Sequence, residues 1–252
     1  MSRALRSLAA PLAVLLAWEA TCRFAHVSPA ILPPPTQVAL KWLEYLRGGE
    51  LAADAFSTLF RVAVGFALGA GLALPLGLWM GAREKVYIVF NPLIQVLRPI
   101  PPIAWIPLSI LWFGLGNPPS FFLIALGAFF PVLMNTISGV RNVDAIYVRV
   151  ARNLGASSST LFRRVLLPGA MPQILAGLRI GVGVAFICVI VAEMIAVNNG
   201  LGYRILEARE YFWSDKIIAG MISIGLLGLL IDSGMARLND RLLRWHRGIE
   251  SA

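Results

Sequence analysis

The stretch that decides the fold comprises residues 60–80 and reads FRVAVGFALGAGLALPLGLWM. Its only charged residue is Arg61, and about 20 apolar residues, each rising about 1.5 Å, suffice for a helix to cross a bilayer. Small residues recur at every fourth position, namely Gly65, Gly69, Ala73, Gly77 and Gly81. Such rows let helix backbones approach closely in lipid. The stretch therefore predicts a membrane-spanning helix packed in a compact bundle or at a dimer interface.

The composition of the whole chain agrees with a membrane protein. Of 252 residues, 58% are apolar and 14% are charged, whereas a soluble domain carries about 25% charged residues. The high hydrophobicity also excludes a disordered chain. Two cysteines and two histidines provide neither a disulfide scaffold nor a His/Cys metal cluster. We expect an all-α polytopic membrane protein with a single transmembrane domain over residues 1–252.

Six segments are candidate spans by length and hydrophobicity. They are residues 8–24, 60–80, 99–115, 120–137, 174–197 and 217–235. The first is expected to be a retained helix rather than a cleaved signal peptide, because it lacks a small-residue cleavage site and contains Glu19. The sequence thus predicts about six transmembrane helices.

The distribution of positive charge predicts the orientation of these helices. With the N-terminus in the cytoplasm, fourteen Lys and Arg residues fall on the inner side and seven on the outer side, as the positive-inside rule requires. Both termini and residues 138–173 are then cytoplasmic. The net charge of +9 follows from this topology, so it does not indicate a nucleic-acid partner.

The third candidate span is unusual because it contains several prolines. It begins Arg98-Pro99-Ile100-Pro101-Pro102 and includes Pro107. Broken backbone at membrane depth is tolerated only where protein or a water-filled cavity satisfies its polar groups. Such segments mark the translocation path in transporters, although a kink that serves packing alone is the other interpretation.

Two ionisable residues, Arg179 and Glu193, lie in the fifth candidate span. They occupy nearly the same helix face about 21 Å apart, so they do not pair with each other. Each requires either a structural partner on a neighbouring helix or a place along the path. The candidate path residues are Arg98, Pro101, Trp105, Asn135, Arg179 and Glu193.

No catalytic or nucleotide-binding motif occurs in the sequence. None of the three lysines follows a glycine, so a phosphate-binding P-loop is excluded. Both histidines lie near the ends of the chain, at positions 26 and 246, and no nucleophile–His–acid set is credible. We expect a chain that is not an enzyme and binds no cofactor; any ATP is bound by another polypeptide.

Residues 138–173 are expected to form two short helices around a turn at Gly155-Ala156-Ser157, ending at Leu167-Pro168. Ile146, Val150 and Leu154 recur at every fourth position and give the first helix an apolar stripe. Because no candidate span lies there, a groove on another protein is the natural place to bury the stripe. Arg149 and Arg152 flank it, and Gly155 permits the positive φ that a turn requires.

This loop resembles the cytoplasmic EAA loop of ABC importer permeases. Ala151, Gly155, Leu167 and Pro168 match that motif at its offsets, whereas Arg149 and Val150 depart from its Glu-Ala start. In that family the loop forms the coupling helix, which docks into the ATP-binding subunit. The coupling residues that the resemblance implies are Ile146, Arg149, Val150, Ala151, Arg152, Leu154, Gly155, Ala156, Leu167 and Pro168.

Further blocks resemble the permeases of the taurine, alkanesulfonate, nitrate and bicarbonate importers. They are Leu32-Pro33-Pro34-Pro35, residues 98–107, Trp112-Phe113-Gly114-Leu115-Gly116, residues 177–181, Ala192-Glu193 with Gly200-Leu201-Gly202, and Trp245-His246-Arg247-Gly248. The resemblance implies a type I ABC importer in a bacterial inner membrane, importing a small anionic solute.

The implied partners are a second permease copy in a homodimer, two ATP-binding subunits that use ATP and Mg²⁺, an external solute-binding protein and the lipid bilayer. A secondary transporter or channel that works without an ATPase is the alternative. Co-purification of a subunit with a P-loop distinguishes the two.

Overall fold

The computed structural model describes residues 3–24 and 28–243, with the backbone alone for residues 3–8. His26 and the tail motif from Trp245 to Gly248 lie outside the described residues. Every regular element in the described part of the chain is helical. The expected all-α fold is confirmed.

Eleven α-helices follow one another in the described chain. They are α1 (Arg3–Phe24), α2 (Pro35–Arg47), α3 (Glu50–Ala82), α4 (Glu84–Leu97), α5 (Ile106–Phe113), α6 (Asn117–Arg141), α7 (Ala145–Asn153), α8 (Ser158–Leu161), α9 (Leu167–Ala196), α10 (Leu201–Glu210) and α11 (Ser214–Leu242). A 3₁₀ turn, Pro102–Trp105, precedes α5, and a π-helical turn, Phe162–Leu166, joins α8 to α9.

Four of these helical stretches are long and apolar enough to cross a membrane by length and composition. They are Glu50–Ala82, Asn117–Arg141, Ser158–Ala196 and Ser214–Leu242. They contain the second, fourth, fifth and sixth predicted spans to within one residue. A fifth span arises if α4 and the stretch Pro102–Phe113, which are bent by 83° at the prolines, count together.

The prediction of about six spans is therefore larger than the four or five found among the described residues. The first predicted span lies in α1, which is helical. The uncharged stretch of this helix between Arg6 and Glu19 is, however, only twelve residues long. The third predicted span is not one α-helix, because its first residues, 99–101, are not helical, Pro102–Trp105 form a 3₁₀ turn and α5 has only eight residues. Proline lacks the N–H that a continuous helix needs.

The predicted end of the loop helices at Leu167-Pro168 is also wrong. The chain continues from α8 through the π-helical turn into α9 without leaving helical geometry. Pro168 sits in the first turn of α9, just after that π-helical turn. A widened turn of this kind accommodates Pro168, which has no N–H and so cannot donate a backbone hydrogen bond.

The Cα positions divide into two compact units. Unit 1 comprises Met1–Thr58 and Glu193–Leu227, and unit 2 comprises Leu59–Ala192 and Gly228–Ala252. Helices α3, α9 and α11 each contribute residues to both units. The expectation of a single transmembrane domain stays a prediction.

Unit 2 is built around α6, whose backbone is approached closely by glycines from two helices. A Cβ atom on Gly69 of α3 would lie 2.3 Å from the carbonyl oxygen of Ala125, and one on Gly177 of α9 would lie 2.5 Å from Cβ of Asn135. Ordinary contacts begin at about 3.4 Å. The expected tight packing of the small-residue row is confirmed, and its partner is α6.

Candidate functional site

Helix α7 is a short helix with a defined start and end. The Asp144 carboxylate accepts a hydrogen bond from the N–H of Ile146 at 2.8 Å, which caps the start. The helix ends at Asn153, and Gly155 follows with φ +79°. Ser157 then caps α8 by accepting from the N–H of Thr160 at 3.2 Å. The turn lies where the sequence predicted it.

The apolar stripe of α7 is exposed in this chain. The exposed fractions are 53% for Ile146, 50% for Val150 and 82% for Leu154. Exposed apolar groups of this size on a capped helix gain free energy when another surface covers them. The stripe is therefore available for a partner, and Arg149 is exposed beside it.

Arg152 does not flank the stripe, contrary to the prediction from the sequence. Successive residues are about 100° apart around a helix axis, so Arg152 and Val148 lie on the side of α7 away from Val150. Both line a groove of about 650 Å³ within unit 2. Helix α7 thus has one face that carries the apolar stripe and an opposite face that lines the groove.

The remaining predicted coupling residues anchor the loop. Ala151 and Ala156 are half-buried, and the N–H of Ala156 donates to the carbonyl of Ala151 at 3.0 Å. Leu167 packs against the core cluster of Val140, Ala170 and Ile174, and Pro168 is half-buried beside it. These residues fix the turn and the start of α9.

Two of the six candidate path residues meet at one cavity. Arg98 and Asn135 both line a cavity of about 360 Å³ in unit 2, whose other walls come from α6, α9 and the proline run. The Asn135 amide donates to the carbonyl of Pro131 at 2.8 Å and accepts from Gln173 at 3.2 Å. Pro101 does not line the cavity, although both of its chain neighbours do.

Trp105 and Arg179 occupy other places in unit 2. The Trp105 ring packs edge-on against Phe122 at 6.3 Å, and its buried Nε1 has no hydrogen-bond partner among the described residues. Arg179 donates from Nε and from a terminal nitrogen to the two carboxylate oxygens of Asp232, at 2.7 and 2.6 Å. This bidentate ion pair with Asp232 on α11 gives Arg179 a structural role.

Glu193 is fully buried in unit 1, where it fixes the start of α10. The hydroxyl of Thr58 donates to its carboxylate at 2.9 Å, and the N–H of Gly202 donates at 3.0 Å. Gly200 has φ +103°, and a Cβ there would lie 2.4 Å from the carboxylate. In this conformation Glu193 holds a loop, so the structural interpretation of this residue fits better than a place along the path.

The second half of this network was not predicted from the sequence. The carboxylate of Asp54 accepts from the N–H of Gly200 at 2.9 Å and from Nε of Arg204 at 2.7 Å. Burial lowers the pKa of Arg204, but hydrogen bonds to Asp54 and Glu207 outweigh burial and hold that pKa above its ordinary value. The only feature of the sequence that pointed to it was the four-residue spacing of Asp54 and Thr58, which places both on one face of α3.

Residues 73–244 match the family described as binding-protein-dependent transport system inner membrane component. The putative aliphatic sulfonates transport permease protein SsuC of Bacillus subtilis is 37% identical over 98% of this chain and 89% of its own. The taurine transport system permease protein TauC of Escherichia coli is 37% identical over 95% and 89%. The nitrate import permease protein NrtB of Synechocystis is 34% identical over 90% and 85%.

Solved structures show the same fold. A chain of the MetNI methionine ABC transporter in an inward-facing conformation superposes with a TM-score of 0.66 at 18% identity, over 74% of this chain and 93% of that one. A chain of an amino acid ABC transporter crystallised with histidines gives 0.62 at 18% identity, over 81% and 97%. The expected type I importer permease fold is confirmed. The chain belongs to the binding-protein-dependent transport system inner membrane component family and is a permease of an ABC importer.

Proposed function

We propose that two copies of this chain form the membrane path of an ATP-driven importer for a small anion. Two copies of an ATP-binding subunit hydrolyse ATP with Mg²⁺, and an external solute-binding protein delivers the solute. Both termini and α7 lie in the cytoplasm. The solute is of the sulfonate, taurine, nitrate or bicarbonate type.

The observation that carries the proposal is the exposed stripe of α7. Val150 and Leu154 are displayed on a helix capped by Asp144 and closed by Gly155, outside every candidate span. Burying groups exposed to this extent stabilises an association by about 1 kcal/mol each. A groove on the ATP-binding subunit is the surface that covers the stripe when the subunits assemble.

The anionic class of the solute is supported by the cavity that Arg98 and Asn135 line. None of the described residues lining it is acidic, and its other walls are mainly apolar. A guanidinium presents two parallel donors that match the oxygens of a sulfonate, nitrate or bicarbonate. Three relatives are named for sulfonates, taurine and nitrate. We assign Arg98 and Asn135 to the solute path, and Trp105, Arg179 and Glu193 to its support.

Co-purification tests the assembly. The chain is expressed with the ATP-binding subunit and the solute-binding protein of its importer, and the tagged permease is purified from membranes. We expect Val150→Glu to abolish recovery of the ATP-binding subunit, because it places a charge in the buried stripe. Leu40→Glu is the control, because Leu40 is also well exposed, at 65%, but lies on α2.

Uptake assays with labelled taurine, an alkanesulfonate, nitrate and bicarbonate then identify the solute. We expect uptake to require ATP inside the vesicles and the solute-binding protein outside. Uptake driven by an ion gradient without any ATP-binding subunit contradicts the proposal and favours a secondary transporter or channel.

A further inference from the structure

The groove on the far side of α7 is larger than the cavity that Arg98 and Asn135 line. It has a volume of about 650 Å³ and lies wholly within unit 2. The residues that matter for its chemistry are Leu78, Trp79, Arg83, Arg152, Ser158 and Phe162. They come from the end of α3 and the residue after it, from α7, from α8 and from the π-helical turn that leads into α9. We call it the α3–α7 groove.

The α3–α7 groove is positively charged and lacks a counter-charge. In the described part of the chain, neither Arg83 nor Arg152 forms an ion pair, and none of the residues lining the groove is acidic. The acid next to Arg83, Glu84, is engaged with Arg141 at 2.7 Å, and Asp144 caps α7. An anion is the complement of two unpaired guanidiniums and the adjacent hydroxyl of Ser158.

The other walls of the groove are apolar. Leu78 and Trp79 belong to the last turns of the span α3, and Phe162 faces them from the π-helical turn. Trp79 is 55% exposed, and tryptophan is enriched where a span meets the headgroup layer. The groove thus joins a site for an anionic head to a surface for hydrocarbon.

We propose that the α3–α7 groove binds an anionic phospholipid of the cytoplasmic leaflet. The phosphate lies between Arg83 and Arg152, and an acyl chain lies against Leu78 and Trp79. Basic pockets between helices on the cytoplasmic side have the chemistry that retains such lipids. The bound lipid ties α7 to the end of α3 and leaves the stripe of α7 available to the ATP-binding subunit. The inference rests on the proposed orientation, which places this end of α3 in the cytoplasm.

Two other occupants fit less well. A small inorganic anion satisfies the guanidiniums but leaves Leu78, Trp79 and Phe162 uncovered. The ATP-binding subunit is expected on the opposite face of α7, where Val150 and Leu154 are exposed. A phospholipid satisfies both the charged and the apolar part of the groove.

Lipid retention tests the proposal. The purified complex is reconstituted in nanodiscs that contain equal amounts of phosphatidylglycerol and phosphatidylcholine, released, and weighed by native mass spectrometry. We expect preferential retention of phosphatidylglycerol. Each cation near an anionic headgroup contributes about fivefold to binding, so Arg83→Gln with Arg152→Gln should reduce the preference by about 25-fold. The Arg83→Lys, Arg152→Lys pair keeps both charges and should retain most of the preference.

The matched control is Lys85→Gln with Arg163→Gln, which removes two exposed cations from the same end of unit 2 without altering the groove lining. We expect it to change the preference less than twofold. Equal losses in the two glutamine pairs, no preference in the wild-type complex, or displacement of the lipid by excess inorganic phosphate overturns the proposal. The readout requires no transport, and external labelling of a cysteine at Ser157 tests the orientation separately.

Discussion

Replacing Gly69 by alanine tests the packing that holds unit 2 together. The added Cβ would lie 2.3 Å from the carbonyl oxygen of Ala125 and 3.0 Å from its Cα. Both atoms belong to the backbone of α6, so no side-chain rotation relieves the contact. Helices α3 and α6 have to separate by about 1 Å to reach ordinary contact at about 3.4 Å.

The magnitude follows from two opposing effects. Overpacking of this kind costs about 1–3 kcal/mol, and the upper half of that range applies because the obstacle is backbone. Alanine in place of glycine within a helix raises the free energy of unfolding by about 1 kcal/mol. The net loss in the free energy of unfolding for Gly69→Ala is therefore about 1–2 kcal/mol.

The control is Gly71→Ala on the same helix. A Cβ at Gly71 meets no atom within 4 Å, so only the gain in helix propensity remains, and the variant should be stabilised by up to about 1 kcal/mol. Unfolding is measured by SDS titration in mixed micelles. We expect the two variants to differ by about 2–3 kcal/mol. Equal stability of Gly69→Ala and Gly71→Ala refutes the packing argument.

Three further predictions concern the loop network, the topology and the cavity. Gly200→Ala should speed limited proteolysis before α10 about tenfold, because the new Cβ collides with the Glu193 carboxylate and a loss of about 1.4 kcal/mol is a factor of ten; an unchanged rate contradicts the role given to Glu193. A single cysteine at Ser157 should resist membrane-impermeant reagents applied outside intact cells and react after the cells are opened. Labelling from outside would contradict the proposed topology. Arg98→Gln should reduce anion uptake on the order of tenfold without loss of the ATP-binding subunit. Normal uptake would contradict the assignment of Arg98 to the solute path.

Local periodicity accounts for what the sequence predicted well. The spacing of Gly65, Gly69 and Gly77 identifies one face of α3, because a helix repeats every 3.6 residues wherever it packs. The turn at Gly155 follows similarly from one residue that tolerates positive φ. Neither inference needs knowledge of the rest of the chain.

Long-range partners account for what the sequence could not predict. Thr58 and Glu193 are 135 positions apart, and no pattern in the sequence pairs them. Arg179 likewise finds Asp232 on another helix, so its role in the bilayer became clear only from the fold. The π-helical turn at Phe162–Leu166 also escaped detection, since a single widened turn has no periodic signal.

The most direct test of the coupling role of α7 compares two glycines with nearly the same φ. Gly155 has φ +79° and Gly49 has φ +77°, and a Cβ at either meets no atom within 4 Å. Valine therefore introduces a similar backbone strain, about 1–2 kcal/mol, at both positions. Gly155 lies in the turn that follows α7, whereas Gly49 lies between α2 and α3.

The measurement is solute uptake and ATP hydrolysis stimulated by the solute-binding protein, made on the assembled importer in vesicles at equal subunit content. Gly155→Val should weaken association of the ATP-binding subunit or leave hydrolysis uncoupled from uptake, and Gly49→Val should leave both rates near wild type. Wild-type uptake and stimulated hydrolysis in Gly155→Val, or equal impairment of the two variants, contradicts the assignment of α7 as the coupling helix.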